Sequence, residues 1–358
     1  MVYNHTAMDS QLYLERPDWF HEPAPIEDWE DPKELMSNQV HGLPDLDQDH
    51  PEVQDYLLSW TERWIREAQV DELRIDAVRH IDPGFFRTLR MKLQLDMSQD
   101  MPTIGEIFDG DPHRLLTTWR AAEFPAAFDF PLYYALIDSV CKGQSAGRIA
   151  ATLAHDRWED VPGEWVTFLD NHDLPRVASV CGQEKLELLL GVLLTTRGRP
   201  MISYGTESGL EGLDEPANRG DMDFESIPYA GTIRDLLALR ASSTPLHEGD
   251  SRVIGLSERG YAVLRTTPAS GVALVGVNLG DEALELQLPS WLPEDEWRPL
   301  LGEPSFNEGK LSLPASSVGV LERSGALVLD LPATQRLRFT GPASGPPTPS
   351  MVLCSGDL

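Results

Sequence analysis

Three polar clusters each follow an apolar run: Arg74-Ile75-Asp76, Gly105-Glu106 and Asp170-Asn171-His172-Asp173. Two carboxyl groups held near one another suit the cleavage of an acetal. One protonates the leaving oxygen, and the other attacks the anomeric carbon or supports its positive charge. Arg74 lies two residues before Asp76, so on a strand both side chains share a face and the guanidinium can partner the carboxylate. Glu106 is flanked by Gly105 and by apolar Ile104, Ile107 and Phe108, neighbours that suit a general acid held protonated.

The clusters need elements that bring them together. Asp76 and Glu106 are 30 positions apart (106 − 76), about one strand-helix unit, and Glu106 and Asp173 are 67 apart (173 − 106), about two such units. Apolar periodicity predicts helices over 49–70, 82–95, 111–120, 145–156, 183–198 and 231–243, and strands near 73, 102, 126, 164 and 199. Repeated strand-then-helix units imply a parallel sheet under covering helices, with the acids on the rim formed by the strands' carboxyl ends. From about Pro245 the texture changes. Alternating, Gly-punctuated runs at 261–267, 272–279, 284–289, 317–323 and 326–331 predict a small antiparallel β domain over 245–340, and 341–358 reads as a loose tail rich in Pro, Gly and Ser.

Composition narrows the function classes. Of 358 residues, 29 are Lys or Arg and 58 Asp or Glu, a formal charge of −29, so the surface repels nucleic acid phosphates and anionic lipid. Hydrophobic residues at 41% and charged residues at 24% are those of a folding globular chain. The apolar run 186–196 carries Glu187 and reads as a buried helix, so neither a nucleic acid nor a membrane partner is expected. The opening residues lack the basic start and apolar stretch of a leader. Cys141, Cys181 and Cys354 are odd in number and lack CxxC spacing, which predicts reduced thiols, no disulfide and no zinc, and on that usage favours the cytoplasm.

RIDAVRHI (74–81), GEIF (105–108) and FLDNHD (168–173), in this order, resemble the conserved regions of the alpha-amylase family of glycoside hydrolases. YNH (3–5) resembles the end of that family's first region, LPDLD (43–47) the short motif of its inserted domain, and NRGDMDF (218–224) the loop after its eighth strand. The resemblance spans roughly residues 1–240. It implies an α/β fold: a partial (β/α)8 barrel over 1–244 with an inserted domain at about 6–69, followed by a C-terminal β sandwich.

By the same resemblance Asp76 is the nucleophile, Glu106 the general acid/base and Asp173 the third carboxylate, while Arg74 orients Asp76. His5 and His172 would bind sugar hydroxyls, and His80 would line the aglycone side. The implied substrate is an α-glucan or malto-oligosaccharide, cleaved with retention and with no cofactor in the chemistry. The resemblance also implies a structural calcium at Asn4, with a local solvated turn as the alternative. LPDLDQDHPEV (43–53) looks closest to members acting on small oligosaccharides and cyclodextrins.

Transglycosylation and an inactive amylase-like chain are the competing readings. The family's first region normally opens with an Asp just before the position matched by Met1, and two barrel strands precede it, so an N-terminally truncated barrel is expected. Leu73 and Arg79 stand where the family often has Phe and Lys. Trp19, Phe20 and Trp29 in the insertion could stack on sugars or pack a loop-rich core.

Overall fold

A computed structural model describes residues 1–97, 101–155, 164–267 and 271–324. These fall into two compact units, one of residues 1–134, 164–168 and 198–201, the other of residues 135–155, 169–197 and 202–324, the described ones in each case. The run 326–331 and the tail 341–358 lie outside the described residues.

In the first unit, two short helices, α1 (Gln11–Glu15) and α2 (Pro32–Ser37), belong to the insertion, and α3 (Pro51–Ala68) closes it. Pro51 fits the first turn of α3 because no partner is needed there for its missing N–H, and His50 Nδ1 accepts from Glu52 N at 3.2 Å. Val53, Leu57, Leu58 and Ile65 make its buried stripe. The chain then alternates: β1 (Leu73–Ile75), α4 (Pro83–Met97), β2 (Thr103–Gly105), α5 (Pro112–Ala122), β3 (Ala126–Phe128), and α6 (Phe130–Leu136). Of the later elements β4 (Glu164–Thr167) and β5 (Arg199–Pro200) belong to this unit, while α7 (Gly147–His155), α8 (Val177–Cys181) and α9 (Leu186–Thr195), which alternate with them along the chain, belong to the second.

The strands pair in parallel in the order β1-β2-β3-β4-β5, with Ile75 opposite Gly105. All five expected strands are present, the one near 199 as only Arg199–Pro200 before the chain turns through Gly205 at φ 86°. Arg199 pairs with Glu72 at 2.9 Å and with Glu164 at 3.1 Å, ion pairs that link the start of β5 to those of β1 and β4. Beside β1, Asp76 N donates to the Met1 carbonyl at 2.9 Å.

The second unit carries α10 (Ala230–Ser242), α11 (Thr244–Glu248) and the C-terminal sheets. Strands β6 (Asp250–Ser257), β7 (Gly260–Thr267), β8 (Gly271–Asn278), β9 (Leu284–Gln287), β10 (Arg298–Leu301), β11 (Ser305–Asn307), β12 (Lys310–Leu313) and β13 (Ser317–Arg323) form two antiparallel sheets, β10-β13-β8-β7-β6 and β11-β12-β9. Leu264, Leu274 and Leu321 of the larger sheet pack against Leu286, Phe306 and Leu311 of the smaller.

One expectation is overturned here. Cys141 and Cys181 form a disulfide across 40 residues, with Cα atoms 4.5 Å apart. Neither count nor local spacing signals this pair, because it is the packing of the Ile137–Cys141 turn on α8 that brings the sulfurs together. The preference for a reducing compartment, drawn from free thiols, loses its premise.

Candidate active site

Asp76 and Glu106 are the first residues beyond β1 and β2, at the carboxyl ends of adjacent parallel strands. Glu106 N donates to the Ile75 carbonyl at 2.9 Å, and Val78 N returns a bond to the Glu106 carbonyl at 3.0 Å, so the pairing of the two strands continues through the acids. Ala77 takes a left-handed conformation, φ 51°, uncommon for a residue with a Cβ, and its N–H reaches Glu106 Oε2 at 3.2 Å. Gly105 has no alternative at its position: a Cβ there would lie 2.8 Å from the Phe124 ring.

Arg74 joins the two acids. Its Nη1 donates to Asp76 Oδ1 and its Nη2 to Glu106 Oε1, one guanidinium spanning both carboxylates. The expected sharing of a face by Arg74 and Asp76 is present. Glu106 is buried, as are its neighbours Ile104 and Ile107, while Phe108 is exposed, and its carboxylate also meets Arg74 and a backbone N–H.

Asn4 is fully buried. Its Nδ2 donates to Asp45 Oδ1 at 2.5 Å and to the His80 carbonyl at 2.9 Å, while its Oδ1 lies 3.0 Å from His5 Nδ1. Burial drives the His5 pKa down, against the pull of nearby Asp76, so the ring is neutral near pH 7. Asp45, the first acid of LPDLD, also meets His21 Nδ1 at 2.6 Å, and burial pushes it up to about 6. His80 is buried, its Nδ1 is 2.9 Å from the Leu35 carbonyl, its ring meets Trp29 edge-on at 6.0 Å, and burial lowers it to about 4.

Trp19 packs on Tyr56 in the core, whereas Trp29 stays 45% exposed. Arg79 donates to the Trp29 carbonyl at 3.3 Å and to the Phe108 carbonyl at 3.4 Å, and pairs with buried Asp109 at 3.1 Å. Two exposed aromatics, one of them two residues past Glu106, are thus held by one guanidinium.

His172 and Asp173 belong to the second unit. Asp173 pairs with Arg219 at 2.9 Å and with His172 Nε2 at 3.1 Å, and both side chains are well exposed. The NRGDMDF loop holds this turn: Asn218 Nδ2 and Arg219 Nε donate to the His172 carbonyl at 3.1 and 2.9 Å. Asp170 is the buried acid of the motif. It accepts from Val177 N at 3.0 Å and Thr206 Oγ1 at 3.1 Å and approaches Arg176 at 3.6 Å, and burial raises its pKa in spite of that arginine.

Two acids passed over in the sequence stand at informative places. Asp129 directly follows β3 and is buried, but its Oδ1 caps α6 by accepting from Leu132 N at 3.0 Å. Asp109 sits between Arg79 and Arg114; the signal available was an Asp one position past GEIF with arginines at 79 and 114. Among the described residues no three His, Cys, Asp or Glu side chains converge as a metal site, and no helix is long and apolar enough to cross a membrane.

Strand-end carboxylates on a parallel α/β sheet, followed by an antiparallel β domain, are the framework of one class of sugar-cleaving enzymes. The chain belongs to the alpha-amylase family, whose catalytic domain matches residues 15–236. It is 30% identical over 312 residues to a beta/alpha-amylase of Paenibacillus polymyxa, covering 81% of this chain and 24% of that protein. It is 30% identical over 284 residues to a cyclomaltodextrinase of Geobacillus thermopakistaniensis, covering 76% of this chain and 47% of that protein. The chain therefore spans less than half the length of either relative. An alpha-amylase of Geobacillus thermoleovorans, solved with acarbose, superposes with a TM-score of 0.81 at 26% identity over 90% of this chain and 76% of that one.

Proposed function

We propose that this chain is a retaining glycoside hydrolase that cleaves α-glucosidic bonds in α-glucans or malto-oligosaccharides. The observation that carries the reading is the Asp76–Arg74–Glu106 bridge. Carboxylates that share one guanidinium favour the short separation of retaining enzymes, roughly 5–5.5 Å, over the wider gap that seats an inverting water.

Asp76 attacks the anomeric carbon while Glu106 gives its proton to the departing oxygen. The glycosyl ester on Asp76 is then hydrolysed by water whose proton returns to Glu106. Arg74 holds Asp76 on the line of attack. Asp173 is assigned to the sugar hydroxyls as third carboxylate, with His172 and the neutral ring of His5 as hydroxyl partners. Trp29 and Phe108 offer ring faces to the aglycone beside His80.

No cofactor enters this chemistry. Calcium would be held by Asn4 Oδ1, Asp45 and the His80 carbonyl, an oxygen set that suits a hard cation once the Asn4 amide is turned. It would stiffen the joint between the insertion and the Asp76 loop. Added EDTA should then lower the melting temperature, and an unchanged melting temperature removes calcium from the reading.

Incubation with a 5-fluoro-α-glucosyl fluoride should label Asp76, located by mass spectrometry of its peptide. Asp76→Asn should take up no label, and Glu106→Ala should make α-glucosyl azide when azide is supplied. A label on another residue, or full turnover by Asp76→Asn, would refute the assignment.

A further inference from the structure

The Cys141–Cys181 disulfide ends on the helix that carries the Asp170–Asp173 turn. α8 begins four residues after Asp173, and it is tied at three levels. At its start, Val177 N donates to Asp170 Oδ2 at 3.0 Å, and buried Arg176 donates to the Tyr204 carbonyl with its guanidinium 5.1 Å from the Tyr204 ring centre. Gly212 joins the start and the middle, its carbonyl accepting from Arg176 N at 2.8 Å and its N–H donating to Ser179 Oγ at 2.7 Å. The loop that begins at Gly212 contains Asn218 and Arg219, which hold the His172 carbonyl and Asp173. At its end, Cys181 is bonded to Cys141, and four residues on Lys185 Nζ donates to the Val140 carbonyl at 2.8 Å.

A helix of five residues has too few internal hydrogen bonds to keep its own position, so its place is set by these ties together with the burial of Val177, Ala178 and Cys181. Those at its start and middle run to loops. The covalent one runs to the Ile137–Cys141 turn that follows α6. We infer that Cys141 and Cys181 are positioning residues whose disulfide fixes α8, and through it the His172–Asp173 turn and the 212–219 loop, so that turnover depends on the oxidised pair. The inference rests on the role proposed above for Asp173. A dithiol reductant would undo it: two electrons and two protons pass to the Cys141–Cys181 bond, leaving two thiols, and the reductant closes to its own cyclic disulfide. Cys141 is only half-buried, which leaves a small dithiol a way in.

The test uses the full chain with Cys354→Ser, so that the two cysteines can pair only with each other. Dithiothreitol should raise amide exchange in the peptide 170–181 and lower kcat per active site, counted by the fluoroglucoside label, by about tenfold, the scale of a small misplacement of one catalytic group. Oxidised glutathione should restore both. Cys141→Ser/Cys181→Ser should sit at the reduced level and ignore either reagent. A loss that came only from unfolding would show as fewer labelled sites at unchanged kcat per site, and that result overturns the inference. So does an exchange rate in 170–181 that does not move on reduction. If the oxidised chain turns over no glucan at all, the proposed function falls, while the exchange measurement still decides whether the disulfide holds the turn.

Discussion

At the scale of single residues, Arg74 is the side chain whose loss should separate chemistry from stability. Its planar fork reaches Asp76 with one nitrogen and Glu106 with the other, a geometry that a point-charged ammonium cannot copy. The side chain is 30% exposed, so little core packing depends on it. Arg74→Lys should therefore lower kcat by about a hundredfold through misalignment of the two acids, while the melting temperature moves by no more than about 2 °C. Steady-state kinetics with a thermal scan of the same sample checks this, and equal losses in both would reduce Arg74 to a structural role. The Arg74–Asp76 contact was legible because alternation along a strand is local. The Arg74–Glu106 contact was not, because Arg74 comes from the neighbouring strand, 32 residues earlier. Sequence also could not rank the two acids of DNHD, since the burial of Asp170 is created by Thr206, Arg176 and the start of α8.

At the scale of elements, the regular alternation made β1 to β5 readable, since buried parallel strands are short apolar runs between amphipathic helices. The C-terminal strands were read less completely. β6 (DSRVIGLS) mixes charge with half-exposed positions, and β10 to β12 are three or four residues long, so neither shows the clean alternation that marks a strand with one wet face. The insertion gave almost no periodic signal because ion pairs and capped turns organise it. Its attachment can be tested at Asp109, which is buried, takes two bonds from Arg114 at 2.9 and 3.1 Å, and pairs with Arg79 at 3.1 Å, while Arg114 reaches Glu30 at 3.0 Å. Asp109→Asn leaves two guanidinium groups facing a neutral amide. With Arg114 half exposed, the expected cost is about 2 kcal/mol, below the range for fully buried pairs. Since Arg79 also holds the Trp29 and Phe108 carbonyls, KM for long malto-oligosaccharides should rise more than KM for short ones. Urea titration and kinetics on a series of chain lengths check both effects, and a uniform KM change would detach the two aromatics from the aglycone.

At the scale of the whole molecule, a chain of charge −29 puts arginines where an acidic protein can best tolerate buried cations. Arg176, Arg240 and Arg265 are all buried, and within the second unit Arg265 joins three parts of the chain. From β7 its guanidinium donates to the Gly249 carbonyl at 2.8 and 3.1 Å, to Leu246 at 3.1 Å and to Thr195 at 3.2 Å, the last being the end residue of α9. Cations suit that helix end, where carbonyls lack partners. Burial, with Arg240 and Arg197 nearby, lowers Arg265 to about 9, so it remains charged at neutral pH, and its value lies in closing carbonyls that no water reaches. Arg265→Leu removes the buried charge, which is favourable, and strips three carbonyls of this partner, which at 1–3 kcal/mol each is not; the balance is a loss of about 3 kcal/mol. Arg265→Lys retains fewer donors and should fall between the two. Denaturant unfolding of the three proteins tests the order, and an Arg265→Leu chain as stable as the parent would mean that apolar packing alone holds α9, α11 and β7 together.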